Sequence, residues 1–175
     1  MNAANKLTMV RIILIPVLLV VLYIDFPGSN YAGMVVFIIA SATDLADGYI
    51  ARSRGLVTNF GKFMDPLADK VLVFSAMLWF VEQGAIPAWV VLIVVIREFM
   101  VTALRLVAID NGRVVAAAVS GKIKTAATMF CLTVMFLPLL PWMLIICVAA
   151  ITVTTLVSGI EYFVRNRDVL KWDKL

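Results

Sequence analysis

The chain has no histidine, few charges and only two cysteines, and these shortages limit both its chemistry and the class of protein to which it can belong. The absence of histidine excludes Ser-His and Cys-His catalytic arrangements and removes the commonest metal ligand. The two cysteines, Cys131 and Cys147, lie in long apolar runs, where a free thiol usually behaves as a small hydrophobe. Any chemistry must therefore depend on carboxylates, amines or hydroxyls.

The low charge content indicates a membrane protein. Charged residues make up 15% of the 175-residue chain and hydrophobic residues 63%, whereas a soluble domain carries roughly a quarter of its residues as charges. A soluble fold of this size cannot bury so much apolar surface. The formal net charge of +4 is not gathered into a basic domain or arm, so we expect no nucleic-acid partner.

Six long apolar stretches predict six transmembrane helices in an all-α protein, because a spanning helix needs about 20 mostly apolar residues. The expected spans lie near residues 7–24, 31–52, 63–82, 86–108, 121–139 and 142–164. The breaks after the first, third and fifth spans contain no Lys or Arg, and the fifteen basic residues lie at or nearer the other ends. By the positive-inside rule, both termini are then cytoplasmic.

The organisation of the chain is otherwise simple. It contains no repeat, low-complexity segment or linker, so we expect one domain over residues 1–175. The first apolar run lacks a small-residue cleavage site and is expected to remain as a spanning helix. These features favour a multi-pass protein of a bacterial inner membrane.

Four aspartates near the end of the second span and the start of the third form the most informative pattern. Asp44 and Asp47 are three residues apart, and Asp65 and Asp69 are four apart, so on helices each pair shares a face. The connection over residues 53–62 lets the two faces meet at the cytoplasmic membrane boundary. Four converging carboxylates repel one another in a low dielectric unless a cation lies between them.

The chemistry of this cluster predicts a site for a hard divalent cation. Oxygen ligands without His or Cys select Mg²⁺, Mn²⁺ or Ca²⁺ over Zn²⁺, and Mg²⁺ typically bridges carboxylates to phosphate oxygens. Gly48 and Gly61 leave room for a ligand, and Arg52 is placed to meet phosphate oxygens. The alternative is a set of helix-end charges paired with Arg52, Arg54 and Lys62. We favour the metal site because intramembrane acids are usually functional.

The spacing of these residues resembles the complete signature of the CDP-alcohol phosphotransferase family. The signature is Asp-x2-Asp-Gly-x2-Ala-Arg-x8-Gly-x3-Asp-x3-Asp, and it is filled here by Asp44, Asp47, Gly48, Ala51, Arg52, Gly61, Asp65 and Asp69. The resemblance implies a six-helix membrane fold, often a homodimer, in which the four aspartates bind one or two Mg²⁺ or Mn²⁺ ions. It also implies that Asp69 is the base that activates the acceptor hydroxyl.

The reaction that the resemblance implies joins a CDP-linked lipid, CDP-diacylglycerol, to a small alcohol. Metal ions on the diphosphate would stabilise the leaving CMP, while a carboxylate removes the proton of the attacking alcohol. The residues expected to bind the CDP-lipid are Asn5, Thr8, Gly48, Ala51, Arg52 and Gly61.

Three further segments, near residues 5–16, 97–105 and 121–125, are similar to those of the bacterial phosphatidylglycerophosphate synthases within this family. The acceptor there is sn-glycerol 3-phosphate, an anion, which implies phosphate binding by a group of basic residues. These are Arg97, Arg105, Lys122 and Lys124. Arg97 is alternatively placed to pair with Glu98 or an aspartate, and the two lysines alternatively fit cytoplasmic flanking charges.

Other activities stay open at this point. Phosphatidylserine, phosphatidylinositol phosphate and cardiolipin synthases of the same family use other acceptors. A divalent-cation transporter also holds intramembrane carboxylates, but it would need them along a path near the bilayer midplane. A purely structural membrane protein would not need Gly48, Ala51 and Arg52 in register with the acids.

Overall fold

The structure, a computed structural model, describes residues 3–24, 26–54, 59–112 and 118–167, with side chains for residues 7–24, 26–43, 64–112 and 118–167. These residues form six α-helices and no strand, which confirms the all-α prediction. The helices are α1 (Ala3–Tyr23), α2 (Ser29–Arg54), α3 (Asn59–Glu82), α4 (Ala88–Asp110), α5 (Val119–Met135) and α6 (Pro141–Arg165).

Proline and glycine mark the ends of several helices. Helix α6 has Pro141 at its first position, where the missing amide hydrogen costs no intrahelical bond. Gly112 follows the end of α4 with φ of 70°, a left-handed conformation that favours glycine. Its amide donates to the carbonyl of Ile109 at 2.9 Å and closes the last turn.

Helix α5 is shorter than the span predicted near residues 121–139, because it ends at Met135. The amides of Phe136 and Leu137 donate to carbonyls three residues back, at 3.4 and 3.0 Å, which tightens the chain into a turn. Pro138 follows directly, and the residue before a proline is disfavoured in the α conformation. The predicted end of this helix was therefore wrong.

The chain divides into two compact units. One comprises residues 1–85 and 132–139, and the other comprises residues 86–131 and 140–175. In the first unit, α1 packs against α2 and α3. In the second unit, α4 packs against α6. The prediction of a single domain stays a prediction.

Aromatic rings form part of the core of the first unit. The ring of Phe136 lies 4.8 Å from that of Phe80 and 5.9 Å from those of Phe37 and Trp79, measured between centroids. Such distances are typical of favourable ring pairs. A side chain on Gly33 of α2 would clash with Leu22 of α1. The two helices thus approach closely where α2 carries only a hydrogen.

Two side-chain hydrogen bonds join α1 to α3. Thr8 bonds to Asp65 near the start of both helices, and Tyr23 bonds to Glu82 at the end of both. Helices α1 and α3 therefore run side by side in the same direction. This arrangement places the first turns of α1 next to the acidic turns of α3.

The exterior of the helices is rich in apolar side chains. Each helix exposes large ones, including Ile13, Ile39, Leu78, Phe99, Phe130 and Ile145. Helix α6 is the one described helix whose length and apolar composition suffice for crossing a membrane. Its hydroxyls are compatible with an apolar surrounding, because Thr152, Thr154 and Thr155 donate to carbonyls of their own helix.

Candidate active site

The acidic signature lies on helical backbone in both of its segments. Residues 44–52 belong to the last turns of α2, and Gly61, Asp65 and Asp69 belong to the first turns of α3. The prediction that the aspartates of each pair lie on one helix face depended on this helical backbone. Several signature and lipid-binding residues lie outside the described side chains, so their contacts stay predictions: Asn5, Asp44, Asp47, Gly48, Ala51, Arg52 and Gly61.

A buried hydroxyl group donates a hydrogen bond to one of the signature aspartates. Thr8 is 1% exposed, and its Oγ1 donates to Oδ1 of Asp65 at 2.6 Å. A hydrogen bond to a carboxylate is shorter and stronger than one between neutral groups. Asp69 is half-buried and lies one turn further along α3 on the same side. Thr8, predicted to bind the CDP-lipid, thus has a contact that orients Asp65.

The donor chemistry of this region fits a hard cation. Two of the four predicted ligands, Asp65 and Asp69, have described side chains, and both offer only oxygen. Mg²⁺ and Mn²⁺ prefer such ligands. Among the side chains that the structure describes, no group of three or more His, Cys, Asp or Glu comes together. The four-carboxylate site stays a prediction, because its other members lie outside this set.

The second unit contains a cluster of three charged side chains that are largely buried. Oε1 of Glu98 accepts from Nη1 of Arg97 at 2.7 Å and from Nζ of Lys124 at 2.9 Å. The side chains of Arg97, Glu98 and Lys124 are 11%, 17% and 6% exposed. Nη2 of Arg97 also donates to Oγ of Ser158. The cluster therefore connects α4, α5 and α6.

Two glycines lie against the Arg97 side chain. A Cβ atom on Gly121 of α5 would lie 3.5 Å from Nη2 of Arg97, and one on Gly159 of α6 would lie 3.3 Å from its Cγ. The second distance is tighter than ordinary van der Waals contact. Gly159 thus leaves space for the aliphatic part of the Arg97 side chain.

Arg105 is held by an aromatic side chain. Its Nε donates to the hydroxyl of Tyr162 at 2.8 Å, and its Cζ lies 5.4 Å from the centre of the same ring. Tyr162 is buried with Val101 and Leu104, so its ring is held by core packing. Arg105 itself is exposed, and Lys122 on α5 is exposed as well. Both remain accessible to an anion.

The predicted basic residues therefore fall into two groups. Arg97 and Lys124 share Glu98, which confirms the Arg97–Glu98 pairing that the sequence offered as one alternative. Arg105 and Lys122 are exposed. All four belong to the second unit, whereas the signature aspartates belong to the first. Binding of an acceptor phosphate by these four residues stays a prediction.

Sequence reasoning missed two partners on α6. Ser158 and Tyr162 hold Arg97 and Arg105, respectively. A signal was present, because Ser158, Glu161 and Tyr162 place polar groups in the last turns of a predominantly apolar helix. Polar residues inside a spanning helix usually face protein.

Comparison with known proteins identifies the class. Residues 1–156 match the CDP-alcohol phosphatidyltransferase family, so the chain belongs to this family and is a transferase. It is 43% identical to the CDP-diacylglycerol–glycerol-3-phosphate 3-phosphatidyltransferase of Bacillus subtilis, with 97% of both chains covered. It is 37% identical to a probable phosphatidylglycerophosphate synthase of Mycobacterium tuberculosis, over 96% of this chain and 83% of the relative. A Salmonella choleraesuis protein with the same name as the Bacillus relative is 41% identical over 75% of this chain and 74% of its own length.

Proposed function

We propose that this protein transfers the phosphatidyl group of CDP-diacylglycerol to sn-glycerol 3-phosphate, producing phosphatidylglycerophosphate and CMP in phospholipid synthesis. The observation that carries the proposal is the near-complete match to the Bacillus relative of that name, at 43% identity over 97% of both chains. The complete acidic signature on helical segments of α2 and α3 supports the same reaction.

The aspartates of the first unit supply the chemistry in this proposal. Asp44, Asp47, Asp65 and Asp69 would hold Mg²⁺ or Mn²⁺, which would neutralise charge on the diphosphate and on the departing CMP. The acceptor hydroxyl oxygen forms a bond to the phosphorus of the phosphatidyl group as the bond from that phosphorus to the CMP oxygen breaks. Asp69 takes the hydroxyl proton.

The cations of the second unit bind the acceptor phosphate in this proposal. Arg105 and Lys122 are exposed and offer N–H donors, and guanidinium and ammonium groups are the usual partners of phosphate. Arg97 and Lys124 outnumber the one carboxylate to which both are bonded. The remaining positive charge favours an anionic acceptor over a neutral one.

We further propose that all six helices span a bacterial inner membrane, with both termini and the active site on the cytoplasmic side. The apolar exterior of every helix and the length of α6 support this placement. Helix α4 would bring charge into the bilayer at Arg97 and Glu98, and the mutual pairing of these two side chains lowers that cost. A homodimer is the assembly that the family resemblance implies.

Label transfer tests the proposal. Detergent-purified protein, CDP-diacylglycerol and Mg²⁺ are incubated with sn-glycerol 3-phosphate labelled in its glycerol carbons, and the organic phase is extracted. We expect labelled lipid that phosphatase treatment converts to phosphatidylglycerol. An organic phase without label, from protein shown to be folded by its thermal transition, would contradict the proposed reaction.

A further inference from the structure

One carboxylate oxygen organises two cations in the second unit. Oε1 of Glu98 lies 2.7 Å from Nη1 of Arg97 and 2.9 Å from Nζ of Lys124. All three side chains are less than one-fifth exposed. Buried charges are costly unless they are paired. Removal of Glu98 would therefore leave two largely buried cations without this carboxylate. Glu98 is the only member that contacts both cations in the described part of the cluster.

We propose that Glu98 is a positioning residue for the acceptor phosphate: it holds the side chains of Arg97 and Lys124 together in one arrangement. The inference rests on the proposed function, because it concerns the same acceptor. Glu98 itself is an anion and would not contact a phosphate. Its contribution is the preorganisation of two phosphate donors, which lowers the entropic cost of binding.

Removal of the Glu98 charge has two opposite effects on an anion. The net positive charge of the cluster rises, which strengthens long-range attraction. However, the two cations then repel each other, and Lys124 loses the carboxylate that fixes the position of its ammonium group. We expect the second effect to win, because Lys124 is 6% exposed and has little water to replace the carboxylate.

A purely structural role for Glu98 predicts a different outcome. Arg97 is independently held by Ser158 and enclosed near Gly121 and Gly159, so the packing of α4 and α6 does not rest on Glu98 alone. A Gln side chain has nearly the same shape and retains an oxygen acceptor for one cation. Glu98→Gln should therefore fold and lose mainly the organisation of the charges.

The test compares Glu98→Gln with wild type by measuring KM for glycerol 3-phosphate and for CDP-diacylglycerol separately. We expect KM for glycerol 3-phosphate to rise about tenfold or more, as for the loss of one charge-assisted interaction. KM for CDP-diacylglycerol should stay within about twofold. The matched control is Glu161→Gln, which removes a more exposed carboxylate paired with Arg165 in the same unit. Both KM values should stay unchanged in the control.

Two further variants sharpen the result. Glu98→Asp keeps the charge on a shorter side chain and should raise KM for glycerol 3-phosphate by less than Glu98→Gln; it also serves if the Gln variant fails to fold. Lys124→Gln should raise the same KM, and combining it with Glu98→Gln should add little, because both changes act on one contact.

The outcomes separate this inference from the proposed function. If wild type uses glycerol 3-phosphate and Glu98→Gln leaves its KM unchanged or lower, the positioning role is wrong while the function stands. Equal increases in both KM values, with a lower melting temperature, would also overturn the role. If wild type uses only an uncharged alcohol, the proposed function fails first and the inference fails with it.

Discussion

Thr8 donates a hydrogen bond of 2.6 Å to Asp65 and thereby links the start of α1 to the acidic turns of α3. Groups that orient a metal ligand are often nearly as influential as the ligand itself, because they fix its geometry and basicity. Thr8 thus orients Asp65, one of the four aspartates predicted to bind the cation, in addition to its own predicted contact with the lipid substrate.

Thr8→Val should weaken cation binding, because it keeps the side-chain volume and removes the donor to Asp65. We expect the Mg²⁺ or Mn²⁺ concentration needed for half-maximal activity to rise roughly 10- to 100-fold. The increase in melting temperature caused by Mn²⁺ alone should shift to higher concentration by a similar factor. Thr8→Ser retains the hydroxyl and serves as the control. If the Val and Ser variants need the same cation concentration for half-maximal activity, Thr8 does not orient a cation ligand.

Asp69→Asn should abolish turnover while largely preserving binding of the CDP-lipid, because an amide cannot accept the acceptor proton at neutral pH. CMP release gives the rate, and displacement of a labelled CDP-lipid gives the affinity. Asp110→Asn, an exposed aspartate at the end of α4, is the matched control. Full activity in Asp69→Asn would exclude this residue as the base.

Lys122→Ala should weaken binding of glycerol 3-phosphate more than binding of the CDP-lipid. Lys122 is exposed, and we expect its loss to raise KM for glycerol 3-phosphate about 3- to 10-fold. Arg167→Ala, another exposed basic residue of the second unit, should leave this constant unchanged. An unchanged acceptor constant in Lys122→Ala would assign Lys122 to the flanking charges that set membrane topology.

Tyr162→Phe should disturb Arg105 without disturbing the core. The variant removes the hydroxyl that accepts from Nε of Arg105 at 2.8 Å and keeps the buried ring. We expect KM for glycerol 3-phosphate to rise several-fold, which corresponds to the free energy of about one lost hydrogen bond. The melting temperature should change by only a few degrees. Tyr31→Phe, at an exposed tyrosine of the first unit, is the control, and an equal effect there would exclude a specific role.

The sequence was sufficient for the helices and for the family, whereas the cation site stays a prediction. Apolar runs of spanning length predicted six helices, and the oxygen-only acids predicted a hard-cation site before any contact was known. The end of α5 was missed because hydropathy does not register the backbone restriction that Pro138 places on the residue before it. Length and apolar content alone therefore place helix ends poorly.

The partners of the charged residues were harder to predict. Arg97 and Glu98 are neighbours in the chain, so their pairing was foreseeable. The contact between Glu98 and Lys124 depends on how α5 packs against α4, and no periodicity in the sequence encodes that packing. The same holds for Thr8 and Asp65, which are separated by 57 positions and meet only because α1 and α3 run side by side.

The most direct test of the account is CMP release from CDP-diacylglycerol by the purified protein with Mg²⁺, when four acceptors are offered separately. These are sn-glycerol 3-phosphate, serine, inositol phosphate and phosphatidylglycerol. We predict release with glycerol 3-phosphate and none above background with the other three. Release with a different acceptor in place of glycerol 3-phosphate would contradict the assigned acceptor. The absence of release with all four would contradict the proposed transfer itself.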